Sequence, residues 1–339
     1  MISAPLQTGA IQTAENVPLL SVRGLKTYFH TFGGVVKAVD GVDFDLATGE
    51  ILGLVGESGG GKSMIGFSIM GLIDPPGRIE AGEIRFEGQD LVRLDEGGMR
   101  SIRGKRIGMI FQDPMTALNP LYTVGNQLEE MLRLHTDLPA AARRARCIEM
   151  LREVGISQPE ERLNNYPHQF SGGMRQRVVI AIAMIAGPRL LIADEPTTAL
   201  DVTIQAQLLR LMKRQVEQTS ASLILITHDL AAVSQMADKM VVLYCGRIVE
   251  RGSTARLIRS PAHHYTRGLL DSIPHDDRSR RRLHQIPGSV PNIRKLPPGC
   301  AFAPRCPAAQ PLCREVEPVL TEFAPGQATA CHFPLEAKL

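Results

Sequence analysis

The feature that most constrains this chain is a glycine-rich segment that ends in a lysine and a serine. It fits the pattern G-x-x-x-x-G-K-[S/T] and consists of Gly56, Glu57, Ser58, Gly59, Gly60, Gly61, Lys62 and Ser63. The segment follows an apolar run at 51–55, which predicts a buried strand, and precedes a helical pattern at 64–72. In this setting a chance glycine-rich turn is the weaker interpretation. The pattern predicts a phosphate-binding loop between a strand and a helix of an α/β fold.

The residue types of this loop suit a magnesium-bound nucleotide. The glycines let backbone N–H groups approach the phosphates, and the start of the following helix adds a partial positive charge. Lys62 is expected to reach the β- and γ-phosphates, and the hydroxyl of Ser63 is expected to bind Mg²⁺. ATP and Mg²⁺ are therefore the predicted cofactors.

A second apolar run, at 190–193, ends in the carboxylates Asp194 and Glu195. At the tip of a buried strand Asp194 is placed to hold Mg²⁺, and Glu195 is placed to polarise a water for in-line attack on the γ-phosphate. An acidic pair at a strand end is by itself often only a solvated turn. The phosphate loop makes nucleotide hydrolysis the favoured interpretation.

A further glycine pair opens a helical stretch at 176–185. Ser171 can cap that helix, and Gly172 and Gly173 leave backbone N–H groups open to an anion. Because the loop at 56–63 already serves the phosphates of one nucleotide, this second glycine segment indicates a nucleotide shared between two chains.

Composition limits the classes of function. The 339 residues carry 38 Lys and Arg against 35 Asp and Glu, and the resulting net charge of +3 is too small for a chain whose main partner is a nucleic acid. The longest apolar run, at 178–187, is shorter than the roughly 18 to 20 residues that cross a bilayer. Residues 1–16 lack the pattern of a secretory signal, so we expect a cytoplasmic protein.

With these motifs in place, the sequence resembles the ATPase subunits of ABC transporters, whose LSGGQ signature corresponds to residues 170–174. Further landmarks of that family follow at Gln112, Asp201 and His228. The resemblance implies that Gln112 contacts Mg²⁺ and the attacking water, that Asp201 communicates across a dimer, and that His228 holds the γ-phosphate. It also implies an aromatic side chain on adenine, for which we choose Phe29, with Tyr28 as the alternative.

The same resemblance implies the fold class, and changes of pattern and composition along the chain give the domain boundaries. The fold is an α/β ABC ATPase, with a RecA-like core, an antiparallel β subdomain and an inserted helical subdomain. We assign residues 1–18 to a flexible leader and 19–271 to the nucleotide-binding domain, with its helical subdomain at about 88–185. The remainder, 272–339, is a small Cys-rich extension that begins with a Pro-rich linker.

Two longer segments, 111–120 and 166–177, look like the oligopeptide/dipeptide branch of ABC importers, which includes nickel and glutathione systems. The resemblance implies an ATPase that powers import of di- or oligopeptides through ATP-driven closure of a head-to-tail dimer. Nickel and glutathione import are the alternatives within the branch. A soluble ABC protein acting on nucleic acid or ribosomes is disfavoured, because the chain has one cassette and no long coiled-coil insertion.

Such an importer implies several partner subunits. These are a second ATPase subunit, two transmembrane permeases and an extracytoplasmic substrate-binding protein. The pair Met174 and Arg175 is typical of the first of two ATPase subunits, so we expect a heterodimer with a paralogue. The expected location is the cytoplasmic face of the cell membrane, where the permeases hold the chain as a peripheral subunit.

Four cysteines lie in the last 40 residues: Cys300, Cys306, Cys313 and Cys331. Four thiolates in a short cytosolic segment can ligate a 4Fe-4S cluster or a zinc ion. No two of them are two to four residues apart, the usual spacing in zinc sites, which favours the cluster, as does the resemblance. Free thiols, or disulfides formed on isolation, are the third alternative. The purpose we expect is structural, because this Pro-rich tail has few large apolar residues with which to fold.

Overall fold

The computed structural model describes residues 17–198, 201–273 and 285–336. Most of the predicted leader, at 1–16, and part of the Pro-rich linker, at 274–284, lie outside these ranges. The described residues form twelve strands: β1 (Leu20–Thr31), β2 (Gly34–Leu46), β3 (Ile51–Val55), β4 (Gly77–Phe86), β5 (Gln89–Asp90), β6 (Ile107–Ile110), β7 (Leu190–Asp194), β8 (Ser222–Thr227), β9 (Lys239–Tyr244), β10 (Arg247–Ser253), β11 (Thr321–Ala324) and β12 (Gln327–Thr329).

The helices of the described residues fall mainly between β6 and β7 and after β7. They are α1 (Lys62–Met70), α2 (Glu96–Ile102), α3 (Pro114–Ala117), α4 (Val124–His135), α5 (Ala140–Glu153), α6 (Pro159–Arg162), α7 (Gly172–Met184), α8 (Val202–Thr219), α9 (Leu230–Met236), α10 (Thr254–Arg259), α11 (His264–Asp271) and α12 (Pro311–Glu315), with short 3₁₀ turns at Leu91–Arg93, Pro167–Gln169 and Ala303–Arg305. Among the described helices, none has both the length and the apolar character needed to cross a membrane.

An eight-stranded sheet forms the centre, in the order β11-β12-β10-β9-β3-β8-β7-β6. The five strands from β9 to β6 are parallel, and β10, β12 and β11 continue the sheet with antiparallel pairs. Every residue of β3, β7 and β8 is buried, as expected for parallel strands covered on both faces. The strands predicted at 51–55 and 190–193 are therefore confirmed.

A smaller antiparallel sheet has the order β2-β1-β4-β5. In β2 the side chains of Val42, Phe44 and Leu46 are buried, whereas Asp43 and Asp45 are partly exposed. This alternation is typical of a strand with one buried face.

The part of the chain predicted as helical, 88–185, is not helical throughout. β6, at Ile107–Ile110, lies within that range and pairs in parallel with β7 in the large sheet. All four of its residues are buried, and so short an apolar run shows no periodicity by which a strand could be recognised. Helices without intervening strands occupy the narrower range from α3 to α7.

The large sheet separates two apolar cores. Leu52 and Leu54 of β3 pack on the face covered by α1 and the smaller sheet. Ile51 and Val55 pack on the opposite face, which the region from α4 to α7 and the helix α8 cover. The loops at the carboxyl ends of β3, β7 and β8 emerge at one edge of this layered structure, because parallel strands all end on the same side.

The described part of the C-terminal extension continues the large sheet, since β12 pairs with β10. Phe302 is 2% exposed, and its ring meets Tyr244 edge-on with the centroids 5.4 Å apart. We expected metal ligation to be the main support of this segment. Strand pairing and a buried aromatic contact also stabilise the segment, and the composition of the segment did not indicate them.

Candidate active site

The phosphate loop connects the carboxyl end of β3 to the start of α1. Gly56, Gly59 and Gly61 adopt positive φ angles of 154°, 78° and 92°. A Cβ on Gly61 would lie 2.1 Å from the backbone oxygen of Ala38, and one on Gly56 would lie 2.3 Å from that of Leu243. Only glycine fits at these two positions, so the loop can fold tightly and turn its backbone N–H groups toward a phosphate.

Lys62 begins α1, and its side chain folds back over the loop. Nζ donates to the carbonyl oxygens of Gly56, at 2.7 Å, and Glu57, at 3.1 Å, and lies 4.0 Å from the carboxylate of Glu195. Burial lowers the pKa of Lys62, and the carboxylates of Glu195 and Asp194 oppose that shift. The ammonium group therefore lies between the loop and the acidic strand end, where a phosphate would meet both.

Ser63 and Asp194 bring two oxygen groups together. Ser63 Oγ donates to Asp194 Oδ1 at 2.9 Å, across the space between α1 and β7. Asp194 is 2% exposed, and burial raises its pKa, while the hydrogen bond from Ser63 opposes the rise. A hydroxyl beside a buried carboxylate suits Mg²⁺, which prefers oxygen ligands and takes few of them from the protein. The donor set thus fits the predicted ion.

Glu195 follows β7 in an unusual backbone conformation, with φ at 47°. Its backbone N–H donates to Ile226 O at 2.8 Å, and its carboxylate lies 2.9 Å from Nδ1 of His228. Thr198 Oγ1 donates to the same carboxylate at 3.4 Å. A non-glycine residue with positive φ is uncommon and costs energy, so the contacts from β8 and its end hold Glu195 in this orientation.

Gln112 and Phe29 lie on other elements. Gln112 is exposed just after β6, the strand next to β7. The ring of Phe29 lies against Gly77, where an added Cβ would be 2.5 Å from the ring. The hydroxyl of Tyr28, the alternative residue, donates to Asp40. Both aromatic residues have contacts within the smaller sheet or beside it, and the adenine assignment stays a prediction.

The second glycine segment lies at the start of α7. Ser171 caps this helix by accepting from the backbone N–H of Met174 at 3.4 Å, as predicted. Gly172 is exposed with open space around it, and a Cβ on Gly173 would lie 3.2 Å from Ile204 of α8. Asp201 caps α8 by accepting from Ile204 N at 3.0 Å. The two segments are thus neighbours, and both present helix starts to solvent.

Five of the predicted site residues therefore meet at one edge of the large sheet. They are Lys62, Ser63, Asp194, Glu195 and His228. Within the loop, Ser58 is exposed, and the backbone N–H of Gly60 donates to Glu57 O at 3.1 Å. Cations, oxygen ligands and a held carboxylate at one place suit the binding and hydrolysis of a nucleoside triphosphate.

Comparison with known proteins agrees with this geometry. Residues 39–198 match the ABC transporter family, and residues 249–313 match the oligopeptide/dipeptide transporter C-terminal region. The chain is 47% identical to the dipeptide transport ATP-binding protein DppD of Escherichia coli (strain K12) over 318 residues, which cover 94% of this chain and 97% of that protein. The chain belongs to the ABC transporter family.

Two further proteins support membership of this family. The oligopeptide transport ATP-binding protein AppD of Bacillus subtilis (strain 168) is 50% identical over 314 residues, covering 92% of this chain and 96% of that protein. A solved structure of the ATP-binding cassette MJ0796, a dimer in a post-hydrolysis state bound to ADP and Pi, is 26% identical, with a TM-score of 0.63. The matched part covers 69% of this chain and 98% of the MJ0796 chain. The chain is thus an ABC-type ATPase.

One contact of this ABC ATPase joins two segments that are far apart in the sequence. Arg305, in the C-terminal extension, donates from Nη1 and Nη2 to the two carboxylate oxygens of Glu57, at 2.6 and 2.9 Å. The residues are 248 positions apart. Arg305 stands next to Cys306, but nothing in the local pattern indicates a partner in the phosphate loop.

The four cysteines of the ABC ATPase's extension line one cavity, together with His263. The cavity is small, about 20 Å³, roughly the space of a single water. Burial raises the pKa of the Cys331 thiol to about 11 and also raises the pKa values of Cys300 and Cys306. In the described part of the chain, no group of three or more His, Cys, Asp or Glu side chains is arranged to hold a metal ion. The predicted cluster or zinc ion therefore has no preformed site here.

Proposed function

We propose that this ABC ATPase powers the import of di- or oligopeptides. The observation that carries the proposal is the joint presence of the nucleotide site and of a segment, 249–313, that matches the oligopeptide/dipeptide transporter C-terminal region. The similar proteins of E. coli and B. subtilis are named for dipeptide and oligopeptide transport. Nickel and glutathione are the alternative cargoes.

In this proposal the residues at the sheet edge divide the work of hydrolysis. Lys62 and the N–H groups of the loop bind the β- and γ-phosphates. Ser63 and Asp194 would hold Mg²⁺, which would supply positive charge to the phosphate oxygens. Glu195 accepts a proton from the attacking water, and its contact with His228 fixes the direction of the carboxylate. Gln112 and His228 complete the surroundings of the γ-phosphate.

We further propose that a second ATPase subunit completes each site. The exposed helix start at Ser171–Gly173 would then face the nucleotide on the phosphate loop of the partner, and Asp201 would lie close to the dimer interface. Two observations support this proposal. The helix start is exposed to solvent, and it lies on α7, outside the large sheet whose edge carries the phosphate loop. The partner ATPase is a paralogue, and two permeases and an extracytoplasmic binding protein complete the assembly at the membrane.

The test is transport by the whole assembly. The chain is co-expressed with its partner ATPase, permeases and binding protein, and the complex is placed in liposomes with ATP inside or outside as orientation requires. We expect ATP-dependent uptake of a labelled dipeptide or tetrapeptide, lost in the Glu195→Gln variant. Uptake of Ni²⁺ or glutathione without peptide uptake would contradict peptide as the cargo, while leaving the ATPase assignment intact.

We also propose that Cys300, Cys306, Cys313 and Cys331 ligate a 4Fe-4S cluster. Support comes from the donor set, four thiols that line one cavity in an apolar part of the extension. A cluster is larger than this cavity, so the residues that line the cavity would have to move outward when the cluster binds. Zinc is the alternative, with the sulfur atoms about 2.3 Å from a single ion.

Metal analysis distinguishes these alternatives. Protein purified without oxygen should contain about four iron and four sulfide per chain. Cys306→Ser should lower the iron content, and Cys245→Ser, a buried cysteine outside the four, should leave it unchanged. Stoichiometric zinc without iron would overturn the cluster. Protein that contains neither metal would show that the four cysteines are free thiols.

A further inference from the structure

Glu57, the first residue after Gly56 in the phosphate loop, is held through three separate groups. Its backbone N–H donates to the hydroxyl oxygen of Tyr265 at 2.8 Å. Its carbonyl oxygen accepts from Lys62 Nζ at 3.1 Å and from Gly60 N at 3.1 Å. Its carboxylate accepts two bonds from Arg305. Any shift of Glu57 therefore moves one of the two carbonyls that orient Lys62.

Arg305 is itself held firmly in the extension. Its side chain is 4% exposed, and Nε donates to Pro287 O at 3.0 Å. Nη1 also donates to the hydroxyl of Tyr244 at 3.2 Å. A bidentate pair between a guanidinium and a carboxylate fixes direction as well as distance, which a single contact does not. The extension thus presents a rigid cation to the loop.

An aromatic cluster joins these two ends. Tyr244 and Tyr265 have ring centroids 4.7 Å apart, and Phe302 lies 5.4 Å from the first and 5.3 Å from the second. Phe302 and Arg305 belong to the extension, whereas Tyr244 ends β9 and Tyr265 lies in α11. The position of the extension is therefore transmitted to Glu57 both through the ion pair and through the Tyr265 hydroxyl.

Charge gives the ion pair a second consequence. Glu57 places a carboxylate within a loop that binds phosphates, and an unpaired negative charge there opposes the binding of a polyanion. Arg305 offsets that charge and is nearly removed from solvent, so the compensation is weakly screened by salt.

We propose that Arg305 is a positioning residue for nucleotide binding: through Glu57, the C-terminal extension sets the geometry and the charge of the phosphate loop. The proposal rests on nucleotide binding by that loop. It assigns to the extension a direct effect on ATP affinity, whether or not a metal occupies the cysteine cavity.

The test measures the dissociation constant of ATP with Mg²⁺ on the full chain, without hydrolysis, by titration of a fluorescent ATP analogue. Arg305→Gln should weaken affinity about tenfold, which corresponds to the loss of one charge-assisted contact. Arg305→Lys keeps the charge and loses the bidentate geometry, so its affinity should be intermediate. Arg314→Gln is the matched control, because Arg314 is exposed in the same extension. It should bind like the wild type.

A double-mutant cycle separates positioning from simple support of the fold. If Arg305 acts through Glu57, Arg305→Gln should weaken affinity much less in a Glu57→Gln background. An equal loss in both backgrounds, or unchanged affinity of a folded Arg305→Gln protein, would overturn the proposal. If Arg305→Gln does not fold, Arg305→Lys takes its place in the double-mutant cycle with Glu57→Gln. Wild-type protein that binds no ATP would instead refute the nucleotide site itself.

Discussion

Nδ1 of His228 lies 2.9 Å from the carboxylate of Glu195, so the residues that follow β8 and β7 meet at the edge of the large sheet. The side chain of Glu195 is 9% exposed, whereas that of His228 is 60% exposed. A buried carboxylate is thus held by an imidazole that remains open to an incoming ligand. This arrangement can orient a base toward a water while the exposed face of the ring meets the phosphate.

Replacing Glu195 with Gln tests the base directly. The amide keeps the size of the side chain but cannot accept a proton, so we expect kcat to fall by about 10² to 10⁴ while ATP binding is retained. The ATP-bound dimer should accumulate and be seen as a larger species in gel filtration with the partner ATPase. Glu217→Gln, on the exposed side of α8, is the control. Undiminished turnover in Glu195→Gln would remove Glu195 from this role.

Lys62→Ala addresses binding rather than chemistry. Nζ of Lys62 is buried between the carbonyls of the loop and the carboxylate of Glu195, where we expect its charge to meet the phosphates. We expect the dissociation constant of ATP to rise about 10- to 100-fold, which corresponds to one strong charge-assisted contact. Lys213→Ala, in α8, serves as the control in the same titration. An unchanged affinity would count against the phosphate loop.

The sequence predicted the parts of the site that depend on neighbours along the chain. The loop at 56–63, the strand before it and the Ser171 cap are local patterns, and each is present in the structure. β6 was missed because four buried residues show no period. The pair of Arg305 and Glu57 was missed for a different reason. Its residues are 248 positions apart, and no local property of either indicates the other.

The charge of Asp194 should make the free protein less stable at neutral pH. Burial holds the pKa of this carboxyl above its ordinary value, although Ser63 and Lys62 oppose the shift and Glu195 adds to it. The folded chain therefore keeps the proton at a pH where the unfolded chain has lost it. The free energy of unfolding falls as pH rises from the pKa of Asp194 in the unfolded chain, about 4, through its raised pKa in the folded chain. Above both pKa values the loss of stability is complete.

Asp194→Asn removes this cost, since the amide stays neutral and can still accept from Ser63. In EDTA and without nucleotide, we expect its Tm to exceed that of the wild type at pH 7, with a smaller difference as pH approaches 4. Asp74→Asn, at an exposed position, should show no such trend. The same Asp194 variant should lose Mg²⁺-dependent hydrolysis. A Tm at pH 7 equal to or below that of the wild type would contradict the burial argument.

Two glycines of the phosphate loop allow strain to be separated from steric contact. Gly59 and Gly61 have similar positive φ angles, 78° and 92°, but a Cβ on Gly59 meets nothing within 4 Å, whereas one on Gly61 would lie 2.1 Å from Ala38 O. Gly59→Ala should therefore lower the free energy of unfolding only by the strain of alanine in a left-handed backbone conformation, about 1 to 2 kcal/mol. Gly61→Ala must also displace β2, so its loss should be clearly larger. Urea denaturation of the two variants measures both values, and equal losses would show that the contact with Ala38 relaxes at no cost.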